Sequence, residues 1–186
     1  LISPVSSLLD NPKKNEKQYK TYVSVISAKS LSSLDAPYPG AELFKKGNNY
    51  FVLDHNQQRV VYYMKYDIRT IQGHKAAYQI IVWSDMATPS IRGYANSVFF
   101  EQLFDEADII TTDRQQTQLG QRFWFNAVAT ALSIGLHVYY MDRNQRKSTE
   151  IKSRKDLDNL QDEIWSNLDK AMGHLLVISP SPLKTR

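Results

Sequence analysis

Ala76-Ala77-Tyr78-Gln79-Ile80-Ile81-Val82-Trp83 runs without a break into Ser84-Asp85-Met86-Ala87-Thr88-Pro89-Ser90-Ile91-Arg92-Gly93-Tyr94-Ala95. The first eight residues are almost wholly apolar, which predicts a central strand covered on both faces. After Asp85 the period changes. Ile91, Ala95, Val98, Phe99, Gln102 and Leu103 recur at helical spacing, and Pro89 and Ser90 stand where a helix begins. A buried strand therefore feeds an amphipathic helix.

Upstream, strands are expected over 50–54 and 60–69. In the second, Val60, Tyr62, Met64, Tyr66 and Ile68 alternate with Lys65, Asp67 and Arg69. The joints His55–Arg59 and Gln72–Lys75 are short enough to force antiparallel neighbours, with Gly73 as a turn residue. A further strand is expected at Tyr19–Ile26, and residues 28–47 read as a mixed connection with room for one short helix. Residues 1–18, polar and holding Pro4 and Pro12, read as a flexible arm before one domain over 19–186. Downstream come a strand at Ala107–Thr112, a helix at Leu119–Ile134 that is apolar nearly all round, and a strand at Leu136–Met141. A helix follows at Ser153–Met172, then a strand at His174–Ser179. Asp142–Arg146 reads as a turn that opens a hairpin to Thr149–Lys152. The fold class is α+β: a single mixed, mainly antiparallel sheet flanked by helices.

Composition narrows the functions. The chain of 186 residues is 42% hydrophobic and 23% charged, too apolar for a disordered segment. No run reaches the roughly 18–20 apolar residues of a bilayer-crossing helix, so no membrane role is expected. Cysteine is absent, which removes disulfides, thiolate nucleophiles and zinc–thiolate sites. That suits a reducing compartment, and with no signal-peptide pattern at the start the cytoplasm is the expected location. His55, His74, His137 and His174 lack metal-ligand spacing, so no metal is expected. No Gly-x-Ser-x-Gly elbow or phosphate-binding Gly-x-x-x-x-Gly-Lys loop is present.

The formal net charge is +4. Residues 143–155 carry Arg143, Arg146, Lys147, Lys152, Arg154 and Lys155 against Glu150 alone, a basic stretch able to meet nucleic-acid phosphates or to stand in solvent as a hairpin. At the strand-to-helix turn, backbone N–H groups of a helix start, a glycine and Arg92 are the parts of a phosphate or pyrophosphate site. The bland alternative is a turn in which Gly93 packs closely against the sheet.

A meander, a central strand, Arg-Gly-Tyr-Ala opening a helix, then strand, helix and strand resemble the GNAT superfamily of acyl-CoA-dependent N-acyltransferases. The family's Gln/Arg-x-x-Gly-x-Gly/Ala loop is matched by Ser90-Ile91-Arg92-Gly93-Tyr94-Ala95; Gly93 and Ala95 fit, and Ser90 departs. The resemblance covers roughly residues 50–142. It implies the acyl-CoA N-acyltransferase fold, with Ile91, Arg92, Gly93, Tyr94 and Ala95 at the pyrophosphate of acetyl-CoA or another acyl-CoA. The backbone of Trp83 and Ser84 would lie along the pantetheine arm. An amine-bearing acceptor, small molecule or macromolecule, would take the acyl group.

Such a transfer needs a base for the amine proton and an acid for the leaving thiolate. Asp85 is the nearest carboxylate for the first role. For the second, the family's tyrosine after the fifth strand has no counterpart among Phe123, Trp124, Phe125 and Asn126, which leaves Tyr139 or Tyr140. Asp113, Arg114, Gln116 and Thr117 follow a strand at the carboxyl edge of the sheet and could approach an acceptor, Asp113 as a second catalytic carboxylate. They could equally cap the next helix, with Thr117 as N-cap. The competing function is a catalytically inactive scaffold of the same type that binds protein or nucleic acid.

Overall fold

The structure is a computed structural model that describes residues 9–25, 36–112, 118–142, 147–165 and 174–183. Helix α1 is Pro12–Val25. Strands β1 (Ala41–Lys46), β2 (Asn49–Asp54), β3 (Arg59–Ile71) and β4 (His74–Ser84) follow. Next comes α2 (Ile91–Ser97), continued by a π-helical turn at Val98–Gln102 and by α3 (Leu103–Glu106). The remainder is β5 (Ile109–Thr111), α4 (Gln118–Ser133), β6 (His137–Asp142), β7 (Lys147–Ile151), α5 (Arg154–Trp165) and β8 (His174–Ser179).

The strands form one mixed eight-stranded sheet in the order β1-β2-β3-β4-β5-β8-β6-β7. Pairing is antiparallel at β1/β2, β2/β3, β5/β8, β6/β8 and β6/β7, and parallel at β4/β5. β3 and β4 are joined through Gln72 and Gly73, with φ of 49° and 86°. Two successive left-handed residues make the tight hairpin turn whose twist suits antiparallel strands. The α+β class and the order of elements after residue 48 agree with the sequence.

Contacts divide the chain into two compact units, Leu1–Asp67 with Ile80–Gln102 and Ile68–Gln79 with Leu103–Arg186. In the first, Leu9, Tyr19, Phe44, Phe51, Leu53, Val60, Tyr63 and Trp83 form a buried cluster, with Tyr22 packed on it. In the second, Ala76, Ile109, Tyr139, Met141, Leu175 and Val177 form another. There α4 buries Trp124, Ala127, Val128 and Ala131 on one side. It is thus amphipathic rather than buried all round. Gly135, at φ 81°, ends it.

Several expectations are corrected. Residues 19–25 of the strand expected at Tyr19–Ile26 belong to α1, which also takes up the arm from Pro12 onward; Ile26 lies outside the described residues. Asn11 Oδ1 accepts the Lys14 N–H at 3.1 Å, an N-cap followed by proline at the first helical position. The apolar positions Tyr19 and Tyr22 fall at helical spacing from Asn15. β-Branched content misled because Tyr19 and Tyr22 pack on the sheet as one helix face, which overrides a weak local propensity, while Val23 stands exposed. The described part of the connection 28–47, residues 36–47, contains a strand, β1; residues 28–35 lie outside the described residues. In β3, Val61 and Tyr63 are buried as well as Val60, Tyr62 and Met64, so both faces are covered there. The central strand β4 is buried over Ala76–Tyr78 and again at Trp83. Gln79 is exposed at φ 52°, and Ile80, Ile81 and Val82 are half-buried. The helix after Pro89 is interrupted by the π turn. The helix expected at Ser153–Met172 is seen as α5 through Trp165, and 166–173 lie outside the described residues.

Candidate functional site

The exit of β4 lies in the first unit. Asp85 leaves the strand with its N–H on the Val61 carbonyl at 2.9 Å. Its side chain then shapes the turn that follows. Oδ1 accepts the Ala87 N–H at 3.0 Å, and Oδ2 accepts the Thr88 hydroxyl at 2.6 Å. Arg59, at the start of β3, forms an ion pair with the same Oδ2 and donates to Thr88 Oγ1 at 3.1 Å. The carboxylate is 15% exposed. Both its oxygens are engaged, which suits a structural clamp better than a base awaiting a proton.

The clamp forms one wall of an open cleft of about 690 Å³. The other walls are the start of α1 (Leu9, Asp10, Pro12, Asn15, Glu16) and the β2–β3 turn from Asn56 to Gln58. Trp83, Ser84, Met86 and Ala87 also line it. Trp83 Nε1–H donates to Asp10 Oδ1 at 2.8 Å, which fixes the indole at the wall. Asn15 is buried and ties α1 to the sheet. Its Oδ1 accepts the Val60 N–H at 2.7 Å, and its amide donates to the carbonyls of Val60 and Leu9, each at 3.0 Å. Lys20, 2.6 Å from Glu16, lowers the Glu16 pKa by its hydrogen bond and its charge. Glu16 therefore stays anionic at neutral pH.

Beyond the clamp, Ser90 precedes α2 without a side-chain cap. The N–H of Ile91 bonds the Thr88 carbonyl at 3.1 Å and that of Arg92 bonds Pro89 at 3.2 Å. The first two amides of the helix are therefore spent on the turn instead of open to a diphosphate. Ile91 is fully buried as an apolar anchor, while Arg92 and Gly93 are exposed and Tyr94 and Ala95 half-exposed. A Cβ built on Gly93 meets nothing within 4 Å. The alternative in which Gly93 packs closely against the sheet is thus excluded.

The structure brings Trp83, Ser84 and Asp85 to the cleft wall, with Arg92–Ala95 one short turn farther along the chain. Tyr139 lies in the second unit's core, 3% exposed, with its hydroxyl accepting the Leu183 N–H at 3.0 Å. Asp113, Arg114, Gln116 and Thr117 lie outside the described residues, as do Arg143 and Arg146. Two of the remaining basic residues of that stretch are ion-paired. Arg154 pairs with Asp158 at 3.2 Å and Lys152 with Glu150 at 3.6 Å, while Ser153 caps α5 by accepting the Asp156 N–H at 3.3 Å and donating its hydroxyl to Asp156 Oδ2 at 2.9 Å.

Sequence reasoning missed Arg59, Asn15 and Asp10, three polar residues that build the cleft. Asn11-Pro12 was the available signal for α1; nothing local tied Arg59 to Asp85, 26 positions away. Among the described residues no cluster of metal-ligating side chains occurs. No described helix is long and apolar enough to cross a membrane. Comparison with family models, curated proteins and solved structures finds no match.

Proposed function

We propose that this chain is an acyl-CoA-dependent N-acyltransferase-like protein of the GNAT type, holding acyl-CoA at the exit of β4. Gly93 carries the reading. It sits in the first turn of α2 without a positive φ and with open space where a side chain would be. A glycine inside a helix costs roughly 0.5–1 kcal/mol relative to alanine, and neither backbone conformation nor packing recovers that here. Close approach of a ligand does. Two further features support the reading: the parallel pair β4/β5 beside antiparallel pairings at β1/β2, β2/β3, β5/β8, β6/β8 and β6/β7, and the insertion of β8 between β5 and β6. With the Ile91 and Arg92 amides occupied, the phosphate contact falls on the Arg92 guanidinium and the space beside Gly93. The half-buried Ile80–Val82 segment and the backbone of Trp83 and Ser84 would run beside the pantetheine arm.

The test is thermal melting with coenzyme A or acetyl-CoA. Ligand at ~100 times its dissociation constant adds about 2.7 kcal/mol to the folded state. Arg92→Glu should abolish the shift. Gly93→Leu should abolish it too without lowering the ligand-free melting temperature, whereas Lys155→Glu should retain it. No shift at millimolar cofactor, or a shift that survives Gly93→Leu, refutes the proposal.

The engaged carboxylate of Asp85 favours a second reading, a scaffold that binds acyl-CoA without turning it over. Release of free thiol from acetyl-CoA in the presence of primary amines separates the two. Cofactor-dependent stabilisation without thiol release assigns the chain to the scaffold class.

A further inference from the structure

The exposed side of α1 collects positive charge that its surroundings do not neutralise. Lys13, Lys14, Lys17 and Lys20 are all exposed, against Glu16 as the helix's one acid. Lys13, Lys17 and Lys20 follow the i, i+4, i+7 spacing of a single stripe, about 10 Å long at 1.5 Å per residue. Glu16 is taken by Lys20. Among the described residues, no carboxylate lies within ion-pair distance of Lys13, Lys14 or Lys17.

The helix is locked with this stripe outward. Asn15 bonds the Val60 backbone, Tyr19 bonds His55 Nδ1 at 2.9 Å, and Tyr22 stacks on Phe51 at 4.5 Å between ring centroids. The sheet beneath continues the pattern. Phe44, Phe51 and Tyr63 pair in one row across β1, β2 and β3, on the face that α1 covers. Two residues along each strand, on the same face, comes the row Lys46, Asn49, Lys65, in which both lysines are exposed. Six lysines thus share this side of the unit. The other carboxylates on this side are Asp10, which accepts from Trp83 at 2.8 Å, Asp85, which is paired with Arg59, Glu42, which His55 holds at 3.1 Å, and Asp67. Of the four described cations of 147–158, Lys152 and Arg154 are ion-paired, with Glu150 and Asp158.

We infer that the lysine stripe of α1, extended by Lys46 and Lys65, is a contact surface for the phosphate backbone of nucleic acid. Lysines act as mobile point charges that neutralise phosphates without reading bases, so binding is independent of sequence. An anionic membrane fits less well, because α1 has already buried its apolar face against the sheet and keeps none to insert. This inference does not depend on the acyl-CoA reading.

The experiment is fluorescence anisotropy of the full chain with a labelled 20-base-pair duplex, titrated across salt. Three to five phosphate contacts give a slope of log affinity against log salt of about −2.7 to −4.5. Raising salt from 50 to 200 mM should then weaken binding by about 40- to 500-fold. The triple variant Lys13→Glu, Lys14→Glu, Lys17→Glu should lose binding. The control Lys147→Glu, Lys152→Glu, Lys155→Glu carries the same net charge and should stay within about threefold of wild type. If the glutamate triple fails to fold, the corresponding glutamine triple should weaken binding at least tenfold with an unchanged circular-dichroism spectrum. Equal losses in the two charge-matched triples, a slope near zero, or binding to phosphatidylserine vesicles but not to the duplex would each overturn the inference.

Discussion

Replacing Asn15 by leucine keeps the size of a buried side chain and deletes three hydrogen bonds. In the native chain Asn15 is 6% exposed, and its carboxamide serves the Val60 N–H, the Val60 carbonyl and the Leu9 carbonyl. Val60 lies beside the point where the β2–β3 register shifts between Val52 and Leu53, an irregularity at which the ladder leaves backbone groups to find other partners. A buried polar group stripped of its partner costs roughly 1–3 kcal/mol. The carbonyls sit at the low end, and leucine's greater apolarity returns part of the loss. The expected destabilisation is about 2–5 kcal/mol, a large share of the ~5–15 kcal/mol that holds a typical domain.

Urea denaturation followed by circular dichroism measures it. Asn15→Asp sharpens the test. A carboxylate still accepts from the Val60 N–H but has no proton for the two carbonyls, which repel it. The introduced group therefore has a folded pKa above its unfolded value of ~3.9. It is destabilising at neutral pH, and the variant recovers stability as the pH falls through that raised pKa and the protonated acid donates to one carbonyl. A loss below about 1 kcal/mol for Asn15→Leu, or an Asn15→Asp variant matching wild type at pH 7, would refute the role given to this side chain.

Three further outcomes follow from local geometry. Gly93→Ala should raise ligand-free stability by roughly 0.5–1 kcal/mol, since helix entropy improves and the new methyl meets open space; a lower melting temperature would mean that Gly93 is under a constraint other than ligand approach. A hydrogen bond from His137, aided by the charge of Lys152, lowers the Glu150 pKa. Its contribution is therefore present above the ordinary glutamate pKa of ~4.3 and disappears as pH falls through the lowered value, so melting curves of wild type and Glu150→Gln should differ at pH 6 and converge by pH 3. Burial pushes the Tyr63 pKa up to about 12. Unfolded tyrosine ionises near 10, so stability should decline between pH 10 and 12, and Tyr63→Phe should flatten that decline; an equal slope in both proteins would contradict it.

Much of the fold was legible because it is written in local period. Strands β2, β3, β6 and β8 announce themselves by apolar runs between short polar joints, and α4 and α5 by helical spacing with Gly135 and the Ser153–Asp156 cap at their ends. β1 was not legible: Ala41–Lys46 mixes charge with two apolar residues, and only pairing with β2 makes it a strand. Nor was α1, whose Val23 and Val25 resemble strand residues until Tyr19 and Tyr22 find a sheet to cover.

At the candidate site, the sequence by itself determined the position of the strand-to-helix turn and the glycine and arginine it presents. Both follow from residue type along a dozen consecutive positions. Tertiary structure alone decided what Asp85 does. Arg59 reaches it from another strand, across 26 residues of chain, and fills the oxygen that a catalytic base would need. Tertiary structure also decided that Gly93 faces open space, that Tyr139 is enclosed in a core, and that Lys13, Lys14 and Lys17 of α1 have no ion-pair partner among the described residues while Lys152 and Arg154 do. Periodicity records which side of an element is apolar; it carries no record of which distant side chain arrives at that element, because that is set by the packing of the whole unit.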